Sequence, residues 1–209
     1  AVSGAGPALP ARVVLATGNP GKLREMRAIL APLRFEVVPL TDFTRAAADE
    51  TGSTFVENAL LKARFAARVT GLPAIADDSG LEVDALDGAP GVRSARYAGV
   101  GASDADNNGR LLAALDGVPE GQRGAHYRCA MAYLRTADDP APLVCEASWQ
   151  GSIGIAPAGA GGFGYDPLFR VAGRAQTAAE MDAAEKNRVS HRGQALRALV
   201  AALHAGAGR

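Results

Sequence analysis

The chain has 209 residues, 48% of them hydrophobic and 21% charged, a balance that describes a folded globular protein and excludes a disordered one. Lys plus Arg and Asp plus Glu each number 22, so the net charge is zero, and a protein that holds nucleic acid through bulk positive charge is excluded. No apolar run reaches the roughly 18 residues that a membrane span needs, so no membrane partner is expected.

The opening AVSGAGPALPA is rich in small residues and lacks an apolar signal core, so residues 1–11 read as a flexible leader and residues 12–209 as one domain. Arg12 to Thr17 is a short apolar strand, and Gly18-Asn19-Pro20-Gly21 breaks it. Lys22 to Leu33 carries Leu23, Met26, Ile29, Leu30 and Leu33 near helical spacing, and Phe35 to Leu40 is a second strand. After an acidic loop ending Asp49-Glu50-Thr51-Gly52, Thr54-Phe55-Val56-Glu57 has the form of a capping box for a helix running to about Arg68. Ala74 to Asp77 reads as a buried strand that stops at Asp77-Asp78-Ser79-Gly80, and Gly- and Pro-rich connections follow as far as Gly101. Ser103 to Leu115 is a third helix, and the long β-type segments His126–Arg135 and Leu143–Ile155 flank a turn at Asp138-Asp139-Pro140 and pair as a hairpin. A glycine-rich loop, Ala156 to Gly164, leads to a short strand at Leu168–Val171, a helical stretch from Thr177, and a last helix opened by Ser190. Early strand–helix alternation with a later hairpin makes the class α/β: a mixed central sheet with flanking helices, in two lobes around a substrate cleft. Cys129 and Cys145 lie far apart and outside any Cys-x-x-Cys spacing, which suits reduced thiols in a cytoplasmic protein.

Only three of the 22 basic residues are lysines: Lys22, Lys62 and Lys186. Arginine serves most surface purposes, so the three compact ammonium groups point to tasks that a planar guanidinium performs badly. Each falls in a segment with chemistry. Thr17-Gly18-Asn19-Pro20-Gly21-Lys22 joins a strand to a helix through a turn that can aim backbone N–H groups and a cation at phosphate. It is not a Walker A loop, because Ala16 and Leu23 stand where that pattern needs Gly and Ser or Thr. Asn58 and Lys62 are four apart on one helix face, and the adjacent acids Asp77 and Asp78 need a counter-charge. Phe163-Gly164-Tyr165-Asp166 offers an aromatic ring to stack a base and a carboxylate to accept from it. His191 and Arg192 sit in the first turn of the last helix, against the helix dipole, which favours a functional reading of both. His126 and His204 have no supporting neighbours in the sequence. Together these segments read as nucleotide chemistry with a divalent metal.

Five ordered segments, TGNPGK, FVENALLKA, AIADDSGLEVDALDGAPGVRSARY, GGFGYDPLF and EKNRVSHRGQAL, resemble the inosine triphosphate pyrophosphatase family over about Val13 to Leu203. The resemblance implies Mg²⁺-dependent hydrolysis of non-standard purine nucleoside triphosphates (dITP, ITP, XTP) to the monophosphate and pyrophosphate, by a homodimer. It implies that Thr17, Gly18, Asn19, Pro20, Gly21 and Lys22 hold the triphosphate, that Asp78 is catalytic acid–base and metal ligand, and that Lys62 neutralises phosphate charge. Ser79 would contact substrate, and Phe163, Gly164, Tyr165, Asp166, Lys186, His191 and Arg192 would form the nucleoside pocket. An acidic metal ligand is implied near residue 50, where Asp49 and Glu50 are adjacent and Glu50 is taken as the ligand. Selection of a 6-oxo purine needs fixed donors such as Arg192 or backbone N–H groups, which would oppose the 6-amino group of adenine. Two other readings stand beside this one. A Maf-like pyrophosphatase would act on other modified nucleotides, and a nucleotide-binding sensor or RNA-associated module would need no water-activating carboxylate.

Overall fold

The computed structural model describes residues 10–31 and 36–207. The expected leader therefore lies, apart from Pro10 and Ala11, outside the described residues, as do Leu33 and Phe35 at the edges of two expected elements. Six strands form one mixed sheet in the order β2-β1-β3-β4-β5-β6. They are β1 (Arg12–Leu15), β2 (Glu36–Pro39), β3 (Ala74–Val83), β4 (Gly124–Leu134), β5 (Leu143–Ile153) and β6 (Phe169–Val171). The helices are α1 (Pro20–Leu30), α2 (Phe55–Thr70), α3 (Asp104–Ala114), α4 (Ala183–Val189) and α5 (His191–Ala207). β1 pairs in parallel with both β2 and β3, whereas β5 and β6 are antiparallel. The expected hairpin segments become β4 and β5, consecutive in the chain and neighbours in the sheet.

The chain divides into two compact units. One comprises Ala1–Asp78, Ala130–Glu146 and Arg192–Arg209; the other comprises Ser79–Cys129 and Ala147–His191. In the first, Val13, Val14 and Leu15 of β1 are wholly buried, as expected of a parallel strand covered on both faces. Ala59, Ala63 and Ala66 present the small, fully buried stripe of α2. The second has its own core, in which Leu81 and Val83 of β3 and Leu111 and Leu115 of the α3 region join Tyr127, Trp149, Tyr165 and Phe169.

Local chemistry explains the element boundaries. The Thr54–Glu57 capping box forms as expected, and Gly71 closes α2 at φ +67°, a left-handed conformation that favours glycine. α1 begins earlier than its apolar periodicity suggests. The Asn19 side chain accepts from the amides of Gly21 and Lys22, and Pro20, whose fixed φ suits a first helical position, starts the helix. The strand expected to stop at Asp77 instead continues to Val83. Two facts permit this: buried and part-exposed residues alternate again from Leu81, and both acids are neutralised by cations where they lie. The stretch from Thr177 breaks at Met181 into a short 3-10 turn and α4, which Asp182 caps.

Candidate active site

In the first unit, the chemistry is organised by two consecutive residues in the middle of β3. Successive strand side chains point to opposite faces, so Asp77 and Asp78 acquire different partners. Both are buried, at 1% and 5% exposure, a placement that an unpaired carboxylate could not sustain. Asp77 Oδ2 lies 2.9 Å from Lys22 Nζ and 3.2 Å from Arg192 Nε. Burial works against its ionisation, but Lys22, Arg192 and Lys62 outweigh it and hold the carboxyl well below the usual range. Arg192, 2% exposed, also pairs with Glu25 of α1.

Asp78 is held from α2. Lys62 Nζ lies 2.7 Å from Asp78 Oδ1 and 3.3 Å from Glu50 Oε1, so one ammonium gathers two carboxylates. Asn58, one helical turn before Lys62, donates to Asp78 Oδ2 at 3.2 Å and accepts from the Gly52 amide at 2.8 Å, tethering the acidic loop to the same place. Burial lowers the affinity of Lys62 for its proton, yet Asp77, Asp78 and Glu50 together reverse this, so it stays an ammonium. Burial raises the pKa of Asp78 beyond what Lys62 and Lys22 take away, leaving a carboxylate more basic than an exposed one.

The expected phosphate turn has a defined local structure. The amide of Asn19 donates to the Thr17 hydroxyl at 3.2 Å, those of Gly21 and Lys22 to the Asn19 side chain, and that of Leu23 to the Asn19 carbonyl. These amides are thus engaged by the turn itself, and the group the turn presents at the acids is the Lys22 ammonium. Ser79 follows Asp78 on β3 and is partly buried.

In the second unit, Asp166 is the organising residue, at 3% exposure. Its Oδ2 accepts from Lys186 Nζ at 2.6 Å and from the Phe163 amide at 2.8 Å, and its Oδ1 from the Tyr127 hydroxyl at 3.2 Å. The Lys186 ammonium sits 5.0 Å from the Phe163 ring centroid, within cation–π range. His191 lies flat on Tyr127, with centroids 4.6 Å apart and planes 7° apart, and Trp149 and Phe169 complete the aromatic cluster. Gly162 makes this loop possible: at φ +72°, a Cβ there would meet Asp166 Oδ2 at 2.0 Å. Tyr165 is buried, and its hydroxyl donates to the Ser94 carbonyl.

Thr17 to Lys22, Glu50, Lys62, Asp78 and Arg192 therefore fall in the first unit, and Ser79, Phe163 to Asp166, Lys186 and His191 in the second. All three lysines pair with a buried aspartate. Glu25, Tyr127 and Trp149 were not singled out by sequence reasoning. Tyr127 and Asp166 are 39 residues apart and share no spacing signal, whereas Asn58 was visible as the i−4 neighbour of Lys62. His126, which has no supporting neighbour in the sequence, meets Glu82 at 2.9 Å. Both cysteines are free thiols, and no described helix is long and apolar enough to cross a membrane.

The sequence pattern of the Ham1 family matches residues 13–202. A dITP/XTP pyrophosphatase of Yersinia pseudotuberculosis is 58% identical over 192 residues, covering 92% of this chain and 98% of the relative. Another of that name from Shigella flexneri is 57% identical over 195 residues, covering 93% and 99%. Among solved structures, a HAM1 protein from Coxiella burnetii matches with a TM-score of 0.85 at 49% identity, over 93% of this chain and 98% of that one. A nucleoside-triphosphatase / dITP/XTP pyrophosphatase from Mycobacterium abscessus matches with a TM-score of 0.71 at 46% identity, over 90% and 97%. The mixed sheet, the lysine–aspartate pairs and these likenesses converge: the chain belongs to the Ham1 family.

Proposed function

We propose that this chain hydrolyses non-standard purine nucleoside triphosphates, dITP, ITP and XTP, to the nucleoside monophosphate and pyrophosphate, and so cleanses the nucleotide pool. The observation that carries the reading is Asp78: a buried, relatively basic carboxylate fixed 2.7 Å from a lysine that also reaches Glu50. The relatives named dITP/XTP pyrophosphatase supply the substrate class. Asp78 orients a water and takes its proton as the water oxygen bonds to the α-phosphorus. The bond from that phosphorus to the oxygen bridging toward the β-phosphorus breaks, and pyrophosphate leaves with the electron pair. Lys22 and Lys62 lie against the charge that spreads over the phosphoryl oxygens, and Thr17 to Gly21 carry Lys22 into place.

The donor set suits Mg²⁺. Asp78 and Glu50, both within reach of the Lys62 ammonium, offer hard carboxylate oxygens. Mg²⁺ is commonly held by one or two carboxylates, with water and substrate phosphate completing its shell. When bound, it would supply charge neutralisation on the phosphates. Asp49 is the neighbouring acid; Glu50 is favoured because Lys62 holds it beside Asp78. For the nucleoside, the second unit supplies the planar rings of Phe163 and His191, the donor Lys186, and Gly164 to Asp166 with Ser79, and Arg192 of the first unit is a further candidate donor. The reading includes residues 12–209 acting as a single domain, a homodimer, and the cytoplasm, where free cysteines persist.

Product analysis with dITP, XTP, dATP and dGTP, with Mg²⁺ or EDTA, tests the reaction. Metal-dependent pyrophosphate from dITP and XTP, with little from dATP or dGTP, is expected. Orthophosphate would place the attack at the γ-phosphorus, and turnover of modified pyrimidines alone would favour a Maf-like activity.

A further inference from the structure

The loop that carries Phe163 is exposed from Ile155 through Gly162, yet the Phe163 ring is set against a buried ion pair. Inside the cluster the Phe163 amide is held by Asp166, and a second hold lies outside it, on α3. The Gly164 amide donates to Asp104 Oδ2 at 2.7 Å, and Asn108 Nδ2 donates to the Gly164 carbonyl at 2.8 Å. Asp104 and Asn108 are four apart and so share one helix face. Asn108 Nδ2 also donates to the Asp104 carbonyl at 2.7 Å, which ties the two grips together. One residue is therefore held at both its N–H and its C=O. Gly164 stands at φ +63°, where the directions of the peptides on either side are set by that single left-handed residue. The peptide before it carries Phe163 and the one after it carries Tyr165 and Asp166, so rotation at Gly164 would move the ring away from Asp166 and Lys186.

We propose that Asp104 and Asn108 are positioning residues for the nucleobase, a clamp that presets the Phe163 ring through Gly164. The proposal rests on the reading of Phe163 as part of the nucleoside pocket. A preset ring binds a base without first being ordered, so the clamp contributes to base affinity and not to phosphate chemistry.

The test uses the full chain, with inosine monophosphate and inorganic pyrophosphate as separate inhibitors of dITP hydrolysis. Asn108→Ala and Asp104→Ala are each expected to raise KM for dITP and Ki for inosine monophosphate about three- to tenfold, the range of one lost hydrogen bond. Both should leave kcat and the Ki of pyrophosphate within about twofold. Asp104→Asn retains an acceptor oxygen and should behave as wild type, while Asn108→Asp loses the donor and should behave as Asn108→Ala. Because Asp104 also lies in the first turn of α3, melting curves accompany each variant, and Asn108→Ala carries the test if Asp104→Ala loosens the helix. Equal weakening of both inhibitors, no change in either, or an Asp104→Asn that matches Asp104→Ala would overturn the clamp. A wild-type enzyme that turns over dITP but ignores inosine monophosphate would overturn the pocket reading, and the clamp with it.

Discussion

Replacing Asp77 by Asn removes a carboxylate that Lys22 and Arg192 share, and nearly preserves its shape. At 2.9 Å from Lys22, the gross Coulomb attraction is about 6 kcal/mol at the effective dielectric near 20 that suits protein sites. Most of that offsets the cost of burying the charges, so the pair's net worth is small. Breaking it is another matter, because Lys22 loses its nearest counter-charge and Arg192 is left with Glu25 alone in a largely buried place. Measured losses for such breakage are about 3–5 kcal/mol. For a chain of this size, that lowers the melting temperature by on the order of 10 °C. Urea denaturation at pH 7 with an unchanged m-value would read the loss directly. The pH dependence has a definite sign. The folded-state carboxyl titrates below its unfolded value, so its contribution is complete above about pH 4 and disappears as pH falls through the folded value. The difference between wild type and variant should therefore be the same at pH 7 and pH 5. Lys22→Met combined with Asp77→Asn should cost less than the two single losses added together, since one unpaired cation is gone. A loss below about 1 kcal/mol for Asp77→Asn, or strict additivity in the double variant, would refute the view that Asp77 is the shared counter-charge.

Lys62→Arg keeps the charge but not the compact ammonium that reaches Glu50 and Asp78 at 3.3 and 2.7 Å, and kcat for dITP should fall by about 100-fold or more. A fully active variant would refute the interpretation of the lysine scarcity at this site. Asp78→Asn should reduce pyrophosphate release by a factor of about 10³, within the range of a lost general base, while circular dichroism and melting show a folded protein. Asp139 accepts from the Arg135 amide, Nε and Nη2 and from the Ala141 amide, and its side chain is held well below the usual carboxylate range, chiefly by Arg135 with burial opposing. Asp139→Asn should cost about 1–2 kcal/mol in urea denaturation, discounted because the Arg135 side chain is 57% exposed. Since the folded carboxyl is the stronger acid, that gap should hold from pH 7 to 5 and close below about pH 4.

Each class of feature in this protein was legible at the range over which its cause acts. Helix starts set within three or four residues could be read directly: the Thr54–Glu57 box opens α2 and Ser103 opens α3, to which the structure adds Asp106 as the reciprocal cap. The three lysines stood out because a composition so poor in lysine leaves each one conspicuous. The path of β3 could not be read, since two adjacent aspartates look like a turn until Lys22, Lys62 and Arg192 arrive from 115 or fewer residues away to neutralise them. The sequence alone therefore determined the α/β class, the helix caps and the residue types available for phosphate and base. Tertiary structure alone decided that Asp77 takes Lys22 while Asp78 takes Lys62, and that Tyr127 and Lys186 meet on Asp166. Successive side chains of a strand differ in direction, so neighbouring acids take different nearest partners, and only the fold determines which cation reaches which acid.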